Sequence, residues 1–311
     1  MGKKTYRVRN WKEYNKALIN RGSITLWIDE KNIHRWYEKN KRRKERGHPR
    51  VYADVAIQTA LTLKQVYRLT LRSCQGFLGS LIELLKLEIK APCYSQLSRR
   101  QKTLKLPQLP KIQENIHLVI DSSGLKIFGE GEWKVRQHGW AKRRIWRKIH
   151  IGVDEKRGQI VCMELTKNQI SDDKVLPKLL KAYEGLIYQV SADGAYDSHE
   201  CFDEIARHHA IATIPPQPNP RHRRKKREEI KRVRDKVVWQ IQKLGRKQWK
   251  EKSNYHRRSL VECMFYRYKQ LFGDKLSSRE LANQQVEALL RCHALNKMTE
   301  LGMPNSVAIV Y

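Results

Sequence analysis

The 311-residue chain contains no apolar run approaching the roughly 18–20 residues of a membrane span. It opens Met-Gly-Lys-Lys-Thr-Tyr, without the apolar stretch of a signal peptide and without the Ser or Thr at the sixth position that myristoylation favours. These absences predict a cytoplasmic protein. The six cysteines (Cys74, Cys93, Cys162, Cys201, Cys263 and Cys292) include no CxxC pair. That argues against a zinc site and, in a reducing compartment, against a disulfide framework, so they read as buried thiols. Acidic residues are also scarce: 32 Asp and Glu stand against 64 Lys and Arg, a formal net charge of +32 and a pI near 10.1. Such a field implies a polyanionic partner, nucleic acid before an anionic membrane. An RNA-coating protein is the plain alternative on charge alone.

The length allows a sizeable core and two domains. Residues 1–50 are polar and basic, and the charge run 39–50 reads as a solvated linker or a DNA-contacting arm. Over 51–110 the apolar spacing turns helical, with Val55, Ile57, Ala60, Leu61, Val66 and Leu69 on mixed three- and four-residue steps. Ser95 is a candidate cap for a short helix 96–102 that carries Arg99 and Arg100. Three short helices with a basic last one suit a helix-turn-helix DNA-binding domain, and a plain helical bundle is the other reading. After Pro107-Gln-Leu-Pro110 the pattern alternates as in strands: 117–121, 124–128, a hairpin of 150–154 with 159–164, then 187–191 and 210–214. Helices over 172–183, capped by Ser171, and over 198–208 separate the later strands. This predicts an α/β catalytic domain over 111–310, a mixed five-stranded sheet flanked by helices. A basic helical insertion at 216–254 is expected to face DNA. Residues 221–258 hold 17 Lys and Arg against 4 Asp and Glu, including the run Arg223, Arg224, Lys225 and Lys226.

Three carboxylates stand out against this basic background. Asp121 ends the apolar run His-Leu-Val-Ile-Asp, Asp193 ends Tyr-Gln-Val-Ser-Ala-Asp, and Glu262 lies in a helical segment that starts near Tyr255. Two aspartates at strand ends and a glutamate on a helix supply the hard oxygen ligands of a two-Mg²⁺ phosphoryl-transfer site, where Mn²⁺ can substitute. At 100° per residue from Tyr255, Arg258, Glu262 and Lys269 fall within roughly 60° of it. Leu260, Val261, Met264, Tyr268 and Leu271 fall at about 140–240°, on the opposite side. One face is therefore expected to pack while the other presents Tyr255, Arg258, Glu262 and Lys269 to a phosphodiester. Asp154 and Asp197 read as caps, and His138, His150 and His199 lack metal-ligand spacing. Ser122 and Ser123 lack a His base, which disfavours a serine recombinase.

The spacing Tyr255-x2-Arg258-x3-Glu262-x6-Lys269, with Asp121 in Val-Ile-Asp-Ser-Ser-Gly-Leu-Lys and Asp193 in Ala-Asp-Gly-Ala-Tyr-Asp, resembles bacterial insertion-sequence DDE transposases of the IS4/IS5 type. Gly76-Phe-Leu-Gly-Ser-Leu and Tyr94-Ser-Gln-Leu-Ser-Arg-Arg100 look like the N-terminal region of the IS5 group. The resemblance implies an RNase H-like catalytic fold with Asp121, Asp193 and Glu262 as the triad. It also implies Mg²⁺ dependence, binding of terminal inverted repeats in double-stranded DNA, cut-and-paste strand transfer into target DNA, and a synaptic homodimer at the bacterial nucleoid. The rival reading is a non-enzymatic DNA-binding protein or repressor derived from a transposase, for which three placed carboxylates have no use.

Overall fold

A computed structural model describes residues 5–38, 50–127, 146–217 and 233–309. The chain divides into two compact units, Met1–Pro107 with Leu289–Tyr311, and Gln108–Ala288.

In the first unit β1 (Thr5–Val8) pairs antiparallel with the distant β8 (Ser306–Ile309). Between them run α1 (Trp11–Asn20), α2 (Glu30–His34), α3 (Asp54–Val66), α4 (Leu71–Leu84) and α5 (Tyr94–Gln101). Residues 5–34 thus form elements, where the sequence suggested a basic arm. The reason is two tryptophans set among the charges: Trp27 and Trp36 are 4% and 1% exposed, and the Trp36 indole N–H donates to the Lys90 carbonyl at 2.9 Å. Most of the run 39–50 lies outside the described residues. Thr70 caps α4 by accepting from the Ser73 N–H at 3.2 Å. α5 starts two residues earlier than Ser95 suggests: Cys93 is its cap residue, with the Gln96 side chain accepting from the Cys93 N–H at 3.3 Å. α11 (Leu281–Glu300) begins in the second unit and ends in the first, where Leu290, Cys292, Leu295 and Met298 are buried.

The second unit is built on β2 (Ile116–Ile127), β3 (Trp146–Asp154), β4 (Ile160–Lys167), β5 (Ile187–Ser191), β6 (Ile211–Thr213) and the two-residue β7 (Lys275–Leu276). The sheet order is β4-β3-β2-β5-β6, with β7 added to β2. It has six strands among the described residues, not the five expected, because the chain turns at Gly273, in the left-handed region at φ +81°, and pairs two residues with the far end of β2. β3 pairs with β2 at every position from Leu118 to Lys126, so Ser122-Ser123-Gly124 continues one strand instead of separating two. β3 and β4 form the expected hairpin. Asp154 closes its turn by accepting from the Arg157 N–H at 3.0 Å, and Gly158 takes φ +63°. β5 and β6 run parallel to β2 and to each other in turn, which makes the sheet mixed.

Helices cover both faces. Leu118 and Ile120 face a cluster with Leu176, Leu179, Leu180, Phe202 and Ile205, from α6 (Leu176–Ala182) and α7 (His199–Arg207). α6 is shorter than the pattern suggested, because 172–174 form a separate 3₁₀ turn and Pro177 opens the α-helix. Ser198, and not the expected Asp197, caps α7, accepting from the Cys201 N–H at 3.3 Å, while Asp197 is taken by Arg234. α8 (Val233–Leu244) and α9 (Arg246–Lys252) make the basic segment helical. They do not only face outward, since Val237 and Trp249 join the same core cluster. On the other face α10 (Ser259–Phe272) packs on β2 and β3 through Val261, Met264, Phe265 and Tyr268.

Candidate active site

The site starts from a gap in the sheet. β5 pairs with β2 only as far as Val119–Ser191, and β7 pairs with it only at Lys126 and Ile127. β3 occupies the opposite edge over the whole stretch. Among the described residues the edge of β2 between β5 and β7 is therefore without a strand partner, and Asp121 lies in that interval. Asp193 follows β5 by two residues and so lies level with it at the end of the neighbouring strand. The parallel register, invisible in either local motif, is what brings the two aspartates together.

Glu262 comes from the first turn of α10, and Arg258 from the 3₁₀ turn Tyr255–Arg258 that precedes it. Arg258 bridges the carboxylates: one guanidinium nitrogen donates to Asp121 Oδ2 at 3.1 Å, and the other pairs with Glu262 Oε1. Asp121 Oδ1 accepts from the Ser122 N–H at 2.8 Å, and Asp193 Oδ1 from the Ala195 N–H at 2.9 Å. Burial pushes the Asp121 carboxyl up to about 6, with the charges of Asp193 and Glu262 adding to the rise while Ser122 and Arg258 oppose it. The Arg258 guanidinium is held above its ordinary value. Burial works against its charge, but Tyr255, Asp121, Glu262 and Asp193 outweigh that. Asp121 thus feels both other carboxylates and shares Arg258 with Glu262.

The donor chemistry fits a hard divalent ion: three carboxylates, the partly buried Asp121 among them, stand around one arginine. Their spacing is not yet that of a coordination sphere. Among the described residues no three His, Cys, Asp or Glu side chains stand close enough to hold a metal, and the guanidinium of Arg258 lies between Asp121 and Glu262.

The other sequence candidates are placed as follows. Tyr255 is half-buried, its ring 6.0 Å from that of Trp249 with Lys250 Nζ 5.2 Å and Arg258 Cζ 5.9 Å from its centroid. Lys269 is half-exposed on α10. Arg99 is exposed on α5. Arg100 turns back instead, donating to the Tyr52 carbonyl at 2.7 Å and pairing with Asp54, with its side chain only 14% exposed. It ties α5 to the start of α3 and is a poor candidate for reading bases. Arg223, Arg224, Lys225 and Lys226 lie outside the described residues. Asp197 is gripped by Arg234 with two bonds at 2.7 and 2.8 Å.

Two residues escaped the sequence reading. Asp172 accepts from the Ser122 hydroxyl and from Lys148 Nζ, both at 2.8 Å. Tyr196 is fully buried beside it. Asp172 stands at the start of an expected helix and Tyr196 within the Asp193 motif, and only the fold brings them near Asp121. His150 is buried on β3, bonded to Thr166 Oγ1 at 3.0 Å, as a structural histidine.

Two family profiles described as Transposase DDE domain match the chain, one over residues 19–130 and one over 112–297. Among solved structures, the piggyBac transposase synaptic complex with hairpin DNA aligns at 11% identity and a TM-score of 0.37, over 95% of this chain and 76% of that one. That likeness is too distant to carry an argument. No helix among the described residues is long and apolar enough to cross a membrane. The second profile spans more than half of the chain and takes in Asp121, Asp193, Arg258 and Glu262, and the chain therefore belongs to the transposase DDE domain family.

Proposed function

We propose that the protein is an insertion-sequence transposase of the IS4/IS5 type with an RNase H-like catalytic unit, and that Asp121, Asp193 and Glu262 are its catalytic triad. The observation that carries this reading is the convergence of the three carboxylates with Arg258 at the uncovered edge of β2, in a chain of the DDE family. Asp121, Asp193 and Glu262 would hold the divalent ions, Mg²⁺ with Mn²⁺ as substitute, whose chemistry when bound would be activation of water or a 3′-hydroxyl and stabilisation of a departing 3′-oxygen. Arg258 neutralises Asp121 and Glu262 in the free protein. When the site is loaded its guanidinium turns to the phosphates flanking the scissile bond, with Lys269 beside it. Tyr255, backed by Trp249, offers its ring to the DNA end.

Arg99 on α5 and the basic run Arg223–Lys226 serve as contacts to double-stranded DNA, both the element's ends and the target, in a synaptic homodimer. The strong positive charge supports that partner.

The test is Mg²⁺-dependent cleavage of DNA carrying the element's ends. Asp121→Asn, Asp193→Asn and Glu262→Gln each abolish cleavage and leave DNA binding near wild type, because each removes a ligand charge and keeps the shape. Arg258→Ala and Lys269→Ala each lose about 10²–10³-fold in rate if they clamp the transition state. A triad variant that cleaves at wild-type rate drops that residue from the site. A wild-type protein that binds the ends tightly and never nicks them is a DNA-binding module instead.

A further inference from the structure

Tyr196 ends the 3₁₀ turn Gly194–Tyr196 that Asp193 caps. Its side chain is 0% exposed, and its hydroxyl has no hydrogen-bond partner among the described residues. A buried hydroxyl without an acceptor is a cost that a fold seldom carries without reason. The surroundings supply one. Tyr196 sits beside Asp193, its N–H bonded to the Asp193 carbonyl at 3.2 Å, and burial, then the charges of Asp172, Asp121 and Asp193, hold its phenol well above the ordinary range, so the hydroxyl is a donor with carboxylates around it. Asp172 is already engaged at both oxygens, by Lys148 and by Ser122. Among the described residues Asp121 Oδ2 accepts only from Arg258, at 3.1 Å.

We propose that Tyr196 is a positioning residue of the divalent-ion site, its hydroxyl donating into the Asp121–Asp193 carboxylate pair once an ion draws those carboxylates together. This rests on the metal-binding reading above. In the ion-free protein the bond is unmade and the hydroxyl is an orphan. In the loaded protein it orients a ligand carboxylate, as an outer-sphere partner does at many metal sites.

The experiment measures Mn²⁺ binding to the full-length protein from the free-ion paramagnetic resonance signal, together with thermal melting with and without Mn²⁺, for wild type, Tyr196→Phe and Asp193→Asn. The phenylalanine variant keeps the ring and removes only the orphan oxygen. Without metal it is expected to melt at or above the wild-type temperature, since no bond is lost. Its Mn²⁺ dissociation constant is expected to weaken about tenfold, and the rise in melting temperature on adding Mn²⁺ to shrink accordingly. A merely packing role would leave the Mn²⁺ constant unmoved. If Asp193→Asn weakens Mn²⁺ binding and Tyr196→Phe does not, the inference falls and the metal site stands. If neither variant moves the constant, the metal-binding reading has failed and the inference falls with it. A metal-free Tyr196→Phe protein that melts clearly below wild type also overturns it, because the hydroxyl would then be bonded in the empty site.

Discussion

At the residue scale, two buried titratable groups lie on neighbouring strands and pull stability in opposite directions with pH. Burial, helped by Lys148 and opposed by Asp172, pushes the His150 imidazole down to about 4. The unfolded chain therefore binds more protons at this site between about pH 4 and 6.5, and stability is lost as pH falls through that window. Asp121 is pushed up to about 6, so its contribution is present at low pH and is lost as pH rises through the same range. Each effect is on the order of 2–3 kcal/mol at full development and they partly cancel. In metal-free urea denaturation from pH 4.5 to 7, His150→Gln is expected to flatten or invert the acid loss of stability, and Asp121→Asn to steepen it. Curves that stay parallel to wild type would remove both residues from the account. Of these two, the sequence marked Asp121, because a carboxylate that closes an apolar run is anomalous by itself. His150 has no such local sign. Its burial comes from β4 and from Asp172 across the sheet, contacts that no neighbour in sequence encodes, and Tyr196 was hidden for the same reason.

At the element scale, the helical wheel read α10 correctly in kind and wrongly in angle. It treated the segment as one α-helix from Tyr255, but Tyr255–Arg258 form a 3₁₀ turn, which advances about 120° per residue instead of 100°. The buried side chains are Val261, Met264, Phe265, Tyr268 and Phe272, centred at about 235° on that wheel. Leu260 and Leu271, expected to be buried, are half-exposed. The stripe of apolar residues is wider than the contact, and which part of it turns inward is decided by β2 and β3. Val261→Asp is therefore expected to unfold the catalytic unit, burying a charge with no partner at more than about 3 kcal/mol. Leu260→Asp should cost about 1 kcal/mol or less. Thermal melting of the two variants checks the assignment, and equal losses would return the stripe to the centre read from sequence. Capping signals were similarly legible where one side chain decides them, as at Asp154, and missed where a neighbour takes the role, as Ser198 does from Asp197, or where a reciprocal bond does, as at Cys93 and Gln96.

At the scale of the molecule, the strand–helix alternation of 116–213 was legible because each strand is apolar and bounded by turn residues. The return of 289–311 to the N-terminal unit was not, since β1 and β8 carry no pattern that names a partner some three hundred residues away. Net charge is legible at this scale alone, and it fixes how DNA binding should respond to salt. With 64 basic residues against 32 acidic ones, 6–10 phosphate contacts are easily supplied, and that number loses roughly 10³–10⁵ in affinity between 50 and 200 mM salt. Arg223, Arg224, Lys225 and Lys226 are the densest part of this charge and lie in the segment that leads into α8. Changing all four to Gln removes at most four contacts, so the slope of log K against log salt should become shallower by up to about 3.6. The loss should be equal on element ends and on random DNA, since phosphates carry no sequence. Arg99→Ala, on α5, should instead reduce preference for the ends more than it reduces the slope. Titrations of both variants on both DNAs at four salt concentrations separate these outcomes. An unchanged slope for the quadruple variant would turn that run toward solvent, and a loss confined to the element's ends would make it a sequence reader.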